Sequence, residues 1–260
     1  MRSLLEDWAA VAGRLPEAGS IALFLDFDGT LAELKDDPRE VALNRAARAA
    51  LMRLAENPAV RACIISGRRL ADLRTMVGVP GIQCLGVHGG ETPGAEFPPD
   101  VARTVAEARR EVASRLNGSV SLNGSGAVRI EDKGMAFSVH HRRAQATEVS
   151  HAREILGQVV EQFGGALWIV PGDRVWEVLP REIRGKGYAA RRLLRLQPAG
   201  AMPIYIGNDD TDEAAFSVLA AGLTARVGPV RKTRARYFLR NPTEVARFLE
   251  KLEEERMLRS

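Results

Sequence analysis

Two aspartates one residue apart, Asp26 and Asp28, directly follow the apolar run Ile21-Ala22-Leu23-Phe24-Leu25. Carboxylates at alternate positions beyond a buried strand share a face, repel each other and lose hydration, so they make sense with a cation between them. Mg²⁺ takes one or two carboxylates, with substrate phosphate and water completing its shell. Gly29 permits a tight turn, and Thr30 offers a hydroxyl and a backbone amide to an oxyanion. The same residues also make an ordinary strand-ending turn, since Asp and Gly are common there. Other positions bear on the choice. Ser66 ends a second apolar run, Ala62-Cys63-Ile64-Ile65, where its hydroxyl can meet a phosphoryl oxygen or cap the helix at Leu70. Lys186, between Gly185 and Gly187, opens a helix whose dipole opposes a cation. It suits a phosphoryl group beside a carboxylate, or else a solvated surface. Asn208-Asp209-Asp210-Thr211-Asp212-Glu213 follows Pro203-Ile204-Tyr205-Ile206, and part of that acidity can simply complement a helix N-terminus.

The elements that position these groups alternate. The sequence predicts a helix from about Ser3 to Leu15 and the strand Ile21–Leu25. A helix over Asn44–Glu56, the strand Ala62–Ile65, a helix over Leu70–Val77 and a strand over Ile82–Val87 follow. Short apolar runs separated by helices give a parallel sheet covered on both faces, with ligands beyond the carboxyl ends of the strands. After Glu91 the pattern changes to a helix (100–116), two strands (119–130 and 135–140), a helix (146–163) and two strands (167–170 and 175–179). The α/β rhythm resumes at Lys186. A last helix starts at Asn241, with Pro242 at its first position and Glu244 in capping-box register. The expected fold is α/β, a doubly wound (Rossmann-like) parallel-sheet core spanning 1–91 and 181–260, with an inserted α+β cap domain over 92–180.

Composition narrows the function classes. A formal charge of +4 over 260 residues, with Lys and Arg spread along the chain, argues against nucleic acid and leaves room for an anionic small molecule. The basic stretch Arg231, Lys232, Arg234, Arg236 reads as a solvated face. Two cysteines, Cys63 and Cys84, each inside an apolar run, suggest core residues rather than a disulfide framework. No run reaches the roughly 18 apolar residues of a membrane span, and Met1–Ala12 has no apolar signal region, so the expectation is a cytoplasmic protein with no membrane partner.

Asp26-Phe27-Asp28-Gly29-Thr30, then Ser66, Lys186 and an acidic loop after a strand, together resemble the haloacid-dehalogenase-type phosphatase superfamily. More narrowly, Ile65-Ser66-Gly67-Arg68, Gly86-Val87-His88-Gly89 and Glu131-Asp132-Lys133-Gly134 resemble trehalose-6-phosphate phosphatases. So do Val139-His140-His141-Arg142 and Gly207-Asn208-Asp209-Asp210-Thr211-Asp212-Glu213. The resemblance implies that Asp26 attacks phosphorus, that Asp28 is the general acid and base, and that Ser66 and Lys186 hold the phosphoryl group. It implies Mg²⁺ on Asp26, the Asp28 carbonyl and the loop at Asn208 and Asp209. Thr30, Gly67, Arg68, His88 and Gly89 would line the substrate. Glu131, Lys133, His140, Arg142 and Glu177 would meet sugar hydroxyls, to which charged groups make strong hydrogen bonds.

Two positions depart from the family pattern. Asn208 stands where an aspartate is usual, and Val87 precedes His88 where many relatives carry a polar residue. Alternatives are a phosphatase for another sugar phosphate (sucrose phosphate, mannosyl-phosphoglycerate) or a catalytically silent sugar-phosphate sensor. Coupling to a trehalose-phosphate synthase would be in trans.

Overall fold

The computed structural model describes residues 1–15, 19–35, 37–116, 120–121 and 127–258. In chain order its strands are β1 (Arg2–Ser3), β2 (Ile21–Leu25), β3 (Val60–Ile65), β4 (Gln83–Leu85), β5 (Val120–Ser121) and β6 (Val128–Asp132). Then come β7 (Phe137–His140), β8 (Leu167–Gly172), β9 (Val175–Pro180), β10 (Met202–Gly207), β11 (Leu223–Val227) and β12 (Tyr237–Leu239). The α-helices are α1 (Trp8–Ala12), α2 (Arg45–Glu56), α3 (Leu70–Val77), α4 (Pro99–Arg115), α5 (Ala146–Gln162), α6 (Gly185–Leu194), α7 (Glu213–Val218) and α8 (Pro242–Leu258). The chain divides into two compact units, Met1–Pro93 with Arg184–Ser260, and Gly94–Ile183.

The first unit is built on a sheet of order β1-β12-β11-β10-β2-β3-β4 in which every pair is parallel. All five residues of β2 are buried, and their alternation sorts them between two cores. Ile21, Leu23 and Leu25 pack with Leu51 and Leu54 of α2, Leu73 of α3 and Leu249 of α8. Ala22 and Phe24 face Ala189 and Ala190 of α6 and Phe216 of α7. Each large side chain so enclosed stabilises the sheet by about 1.5–3 kcal/mol. Helix α2 starts where Asn44 Oδ1 accepts from the Ala46 and Ala47 amides at 2.9 and 3.2 Å. Helix α8 is capped similarly, by Asn241 Oδ1 on the Glu244 amide at 3.0 Å. The Glu244 carboxylate reaches one residue further back than a capping box requires, to the Arg240 amide at 2.8 Å. Cys63 and Cys84 are buried, unpaired thiols on β3 and β4.

Two local expectations are corrected. The helix expected over Ser3–Leu15 is only α1. Arg2 and Ser3 instead extend the open edge of β12, and the Leu4 amide donates to the Phe238 carbonyl at 3.0 Å. The unpaired groups of a sheet edge outweigh local helix propensity there. The strand expected to Val87 stops at Leu85, because Val87 and His88 take positive φ of 44° and 56°.

In the second unit the sheet runs β5-β6-β7-β9-β8, parallel at β5–β6 and antiparallel elsewhere. Of the strand expected over 119–130, residues 119 and 122–126 lie outside the described residues. Val128, Ile130, Phe137, Val139, Trp176 and Val178 pack on α4 and α5. The opposite face therefore carries Glu131, Ser138 and Glu177, which stand in register across β6, β7 and β9. Among the described residues no helix is long and apolar enough to cross a membrane.

Candidate active site

Strand order turns outward in both directions from the β2–β10 pair, which makes the carboxyl ends of these strands a topological switch point. Asp26 leaves β2 there, its amide donating to Ile206 of β10 at 2.9 Å, and Asn208 leaves β10 beside it. Gly29, at φ 79°, passes so close that a Cβ would lie 2.1 Å from Asn208 Nδ2, so any side chain would displace the amide. Thr30, fully buried, joins the two ends. Its hydroxyl donates to Asp26 Oδ2 at 3.1 Å and lies 3.5 Å from Asn208 Oδ1.

Lys186 completes this centre. It is 4% exposed rather than solvated, and its ammonium donates to Asp26 Oδ1 at 2.6 Å and Asp212 Oδ1 at 2.9 Å. Gly187 lets α6 approach α7 closely, since a Cβ would meet the Ala214 carbonyl carbon at 2.8 Å. Asp212, absent from the sequence-derived site, is the hub. Besides Lys186 it accepts from the Tyr205 hydroxyl at 2.7 Å and from the Asn208 and Asp209 amides at 3.0 Å each. Its signal was present in the acidic loop, but nothing in the letters said which acid turns inward. Tyr205 read as one more apolar strand residue.

The electrostatics suit a cation. Burial pushes the Asp26 carboxyl up from 3.8 to about 7; Lys186 pulls it down, while Asp212 and Asp28 push it up further. Burial also raises Asp209. For Lys186 burial opposes the charge, but Asp212 and Asp26 outweigh it and hold the ammonium well above its usual range. An ionised Asp26 at neutral pH therefore calls for positive charge beyond Lys186. Among the described residues no three His, Cys, Asp or Glu side chains converge as a metal cage. The donors at hand are oxygens of Asp26 and of the Asn208 amide. A hard cation with few protein ligands, such as Mg²⁺, fits that set and a cage-seeking ion does not.

Asp28 is held by Arg68 through both carboxylate oxygens, at 2.8 Å to Nε and 2.6 Å to Nη2. Ser66, 1% exposed, accepts the Arg68 amide on Oγ at 3.2 Å. It does not cap α3; the Leu70 amide is taken by Glu91 instead. The strained turn at Val87–His88 is tied to this loop by Val87 N to Arg68 O and His88 N to Ser66 O, both 2.8 Å. A β-branched residue at positive φ costs on the order of 1–3 kcal/mol, and such strain gathers at functional sites. Gly67 lies between Ser66 and Arg68, and Gly89 follows His88 in the turn, so the structure brings all of these together at the carboxyl ends of β3 and β4.

In the second unit Lys133 and Glu177 form a buried pair, Nζ to Oε1 and Oε2 at 2.9 and 3.0 Å, and Ser138 Oγ donates to Oε2 at 2.8 Å. Glu131 lies 2.7 Å from His140 Nε2. Burial works against its carboxylate, but the His140 hydrogen bond and the Lys133 charge outweigh that and bring it down to about 2. Arg142 is exposed and stands apart from this row, donating to Asp173 Oδ2 at 3.0 Å. Ser138 was missed because a lone serine in an alternating strand carries no signal until the register is known.

Comparison with known proteins gives this arrangement a family. The trehalose-phosphatase family model matches residues 24–243. The trehalose-phosphate phosphatase of Mycobacterium avium (strain 104) is 35% identical over 93% of this chain and 63% of its own length. That of Mycobacterium tuberculosis H37Rv is 32% identical over 89% of this chain and 61% of its own. The chain thus spans less than two thirds of the length of these relatives. In fold it is similar to the C-terminal domain of a Candida albicans trehalose-6-phosphate phosphatase, with a TM-score of 0.78, 22% identity, and 97% and 98% of the two chains covered. An Aspergillus fumigatus trehalose-6-phosphate phosphatase gives a TM-score of 0.69 at 24% identity. With a family model and relatives of this identity both covering most of its length, the chain belongs to the trehalose-phosphatase family.

Proposed function

We propose that the chain is a metal-dependent phosphatase that hydrolyses trehalose 6-phosphate to trehalose and phosphate. The observation that carries this reading is Asp26, buried at the switch point with Lys186 Nζ 2.6 Å from one carboxylate oxygen and the Thr30 hydroxyl on the other. A carboxylate so held has its lone pairs aimed by two donors and is poised as a nucleophile rather than as a solvated acid.

In this reading Asp26 attacks phosphorus and an aspartyl-phosphate forms as the sugar alkoxide departs. Asp28, freed from Arg68 and entering the step as the neutral acid, gives its proton to that oxygen. As the carboxylate it then takes a proton from the water that attacks phosphorus, the bond from phosphorus to Asp26 breaks, and the Asp26 carboxylate and inorganic phosphate are released. Ser66 and Lys186 hold the phosphoryl oxygens, with Lys186 supplying charge where it develops. Mg²⁺, held by Asp26, the Asp28 carbonyl and the Asn208–Asp209 loop, would offset charge on the nucleophile and phosphoryl oxygens. Thr30, Gly67, Arg68, His88 and Gly89 line the phosphate side. Glu131, Lys133, His140 and Glu177 supply charged partners for sugar hydroxyls, with Arg142 as an outlying contact. A trehalose-phosphate synthase would supply the substrate, and the expected compartment is the cytoplasm.

The test is phosphate release from trehalose 6-phosphate, glucose 6-phosphate, sucrose 6-phosphate and mannosyl-3-phosphoglycerate, with Mg²⁺ and with EDTA. Metal-dependent release confined to the first supports the whole reading. Release from another member keeps Asp26 and replaces the sugar assignment. No release from any member defeats the reading and leaves a sugar-phosphate sensor.

Glu177→Gln tests the sugar contacts. It keeps the shape of a group that accepts from Lys133 and Ser138 while removing its charge. KM for trehalose 6-phosphate is expected to rise about 10-fold, with kcat changed less, as for a binding contact shared by ground and transition states. An unaltered KM in a folded variant would remove Glu177 from the substrate site.

A further inference from the structure

Arg226 is a buried guanidinium in an otherwise uncharged strand. All five residues of β11 are buried, and Arg226 is 3% exposed. Its neighbours in register are Phe238 of β12 on one side and, on the other, Gly207, the last residue of β10, directly before Asn208. Burying such a charge is costly unless it is paired. Its partners here are all on the acidic loop or beside it. Nη2 donates to the Asn208 carbonyl and Nη1 to Glu213 Oε1 at 3.3 Å, while Nε is buried with no hydrogen-bond partner among the described residues.

Glu213 is in turn fixed by the Thr233 hydroxyl at 2.6 Å and the Arg234 amide at 2.8 Å, and Asp210 pairs with Arg231 at 2.7 Å. Arg231, Lys232, Arg234 and Arg236 are exposed, as expected of a solvated face, and the stretch touches the loop after β10 through the Arg231 side chain, the Thr233 hydroxyl and the Arg234 amide. The Asn208 peptide is gripped at both ends, its amide by Asp212 and its carbonyl by Arg226. From that fixed backbone its side chain lies against Gly29, with Oδ1 near the hydroxyl that Thr30 gives to Asp26.

We propose that Arg226 is a positioning residue for the divalent cation, acting through the Asn208 peptide and Glu213 to hold the Asn208 amide oxygen beside Asp26. The inference rests on the metal-dependent reading above and deepens it. A neutral amide is a weaker ligand than the carboxylate usual at this position. Its orientation must therefore be fixed by outer contacts, which commonly govern metal affinity by 10-fold or more.

Arg226→Met and Arg226→Lys test it by two readouts. One is the Mg²⁺ concentration giving half-maximal phosphate release. The other is Mg²⁺ binding to the substrate-free protein, by calorimetry or thermal shift. For Arg226→Met both midpoints are expected to rise about 10-fold, while KM for the sugar phosphate at saturating Mg²⁺ changes less than about 2-fold. Arg226→Lys keeps the charge without the fork and should fall between. In Asn208→Ala the midpoints should rise as well, and adding Arg226→Met should raise them no further, since the two act as one unit.

A lowered melting temperature with both midpoints at the wild-type value would make Arg226 merely structural and overturn the proposal, as would additive effects with Asn208→Ala. If Arg226→Met does not fold, an unchanged midpoint in Arg226→Lys overturns it equally. A wild-type protein that responds to Mg²⁺ in neither readout overturns both this inference and the metal-dependent reading. A failure confined to the variants leaves that reading standing.

Discussion

Asp26→Asn is expected to abolish phosphate release, by about 10⁴-fold or more in kcat, because removing a covalent nucleophile leaves only binding and electrostatic stabilisation. The substitution is nearly isosteric. The carbonyl oxygen of Asn can still accept from Lys186, which reaches Asp26 Oδ1 at 2.6 Å in the native site. Loss of activity should therefore come without loss of fold, and circular dichroism should be unchanged. A second readout separates nucleophile from general base. Acid quenching of the native enzyme with phosphoryl-labelled substrate should trap label on the protein. Asp28→Asn should still form that label, more slowly because the acid for the departing oxygen is gone, and Asp26→Asn should form none. Substantial turnover by Asp26→Asn, or labelling of it, would transfer the nucleophile's role to another group or to water.

How much of this was legible beforehand differs by residue. Asp26 and Ser66 could be placed because each follows an apolar run, and Lys186 because a cation opening a helix opposes its dipole; a doubly wound sheet delivers strand ends and the helix starts that follow them to one edge. The parallel core followed from runs such as Ile21–Leu25, whose burial on both faces is seen in the split of alternate residues between two cores. What stayed hidden was pairing. That Asp212 turns inward while Asp210 stays at the surface depends on the short 3₁₀ turn Asp210–Asp212, which composition does not encode. Arg226 lies 18 residues beyond Asn208, so only the β10–β11 register brings them together. The helix expected at the N-terminus failed for a similar reason. Leu4, Trp8 and Val11 have helical spacing, but Ser3 and Leu4 are claimed by an edge strand more than 200 residues later.

Lys186→Met should affect both activity and stability, and the stability effect should depend on pH. Lys186 is the shared partner of two buried carboxylates, Asp26 at 2.6 Å and Asp212 at 2.9 Å. Removing one partner of a buried ion pair typically costs about 3–5 kcal/mol, because the remaining charge loses its compensation. Asp26 can escape that penalty only by keeping a proton. Asp26 already lies at about 7, with Lys186 the leading influence pulling it down, so the variant moves it higher still. A carboxyl whose folded pKa exceeds its unfolded value binds more protons folded than unfolded between the two, so stability falls as pH rises through that window. The melting temperature of Lys186→Met should therefore lie near the native one at pH 4–5 and drop progressively to pH 8. In the native protein the raised Lys186 keeps its contribution until pH passes the ordinary lysine range. Phosphate release should fall about 10³-fold at neutral pH, the scale of losing one preorganised group at the developing charge. A melting temperature shifted equally at pH 5 and pH 8 would mean that Lys186 contributes packing rather than charge, and the electrostatic account of the centre would fall with it.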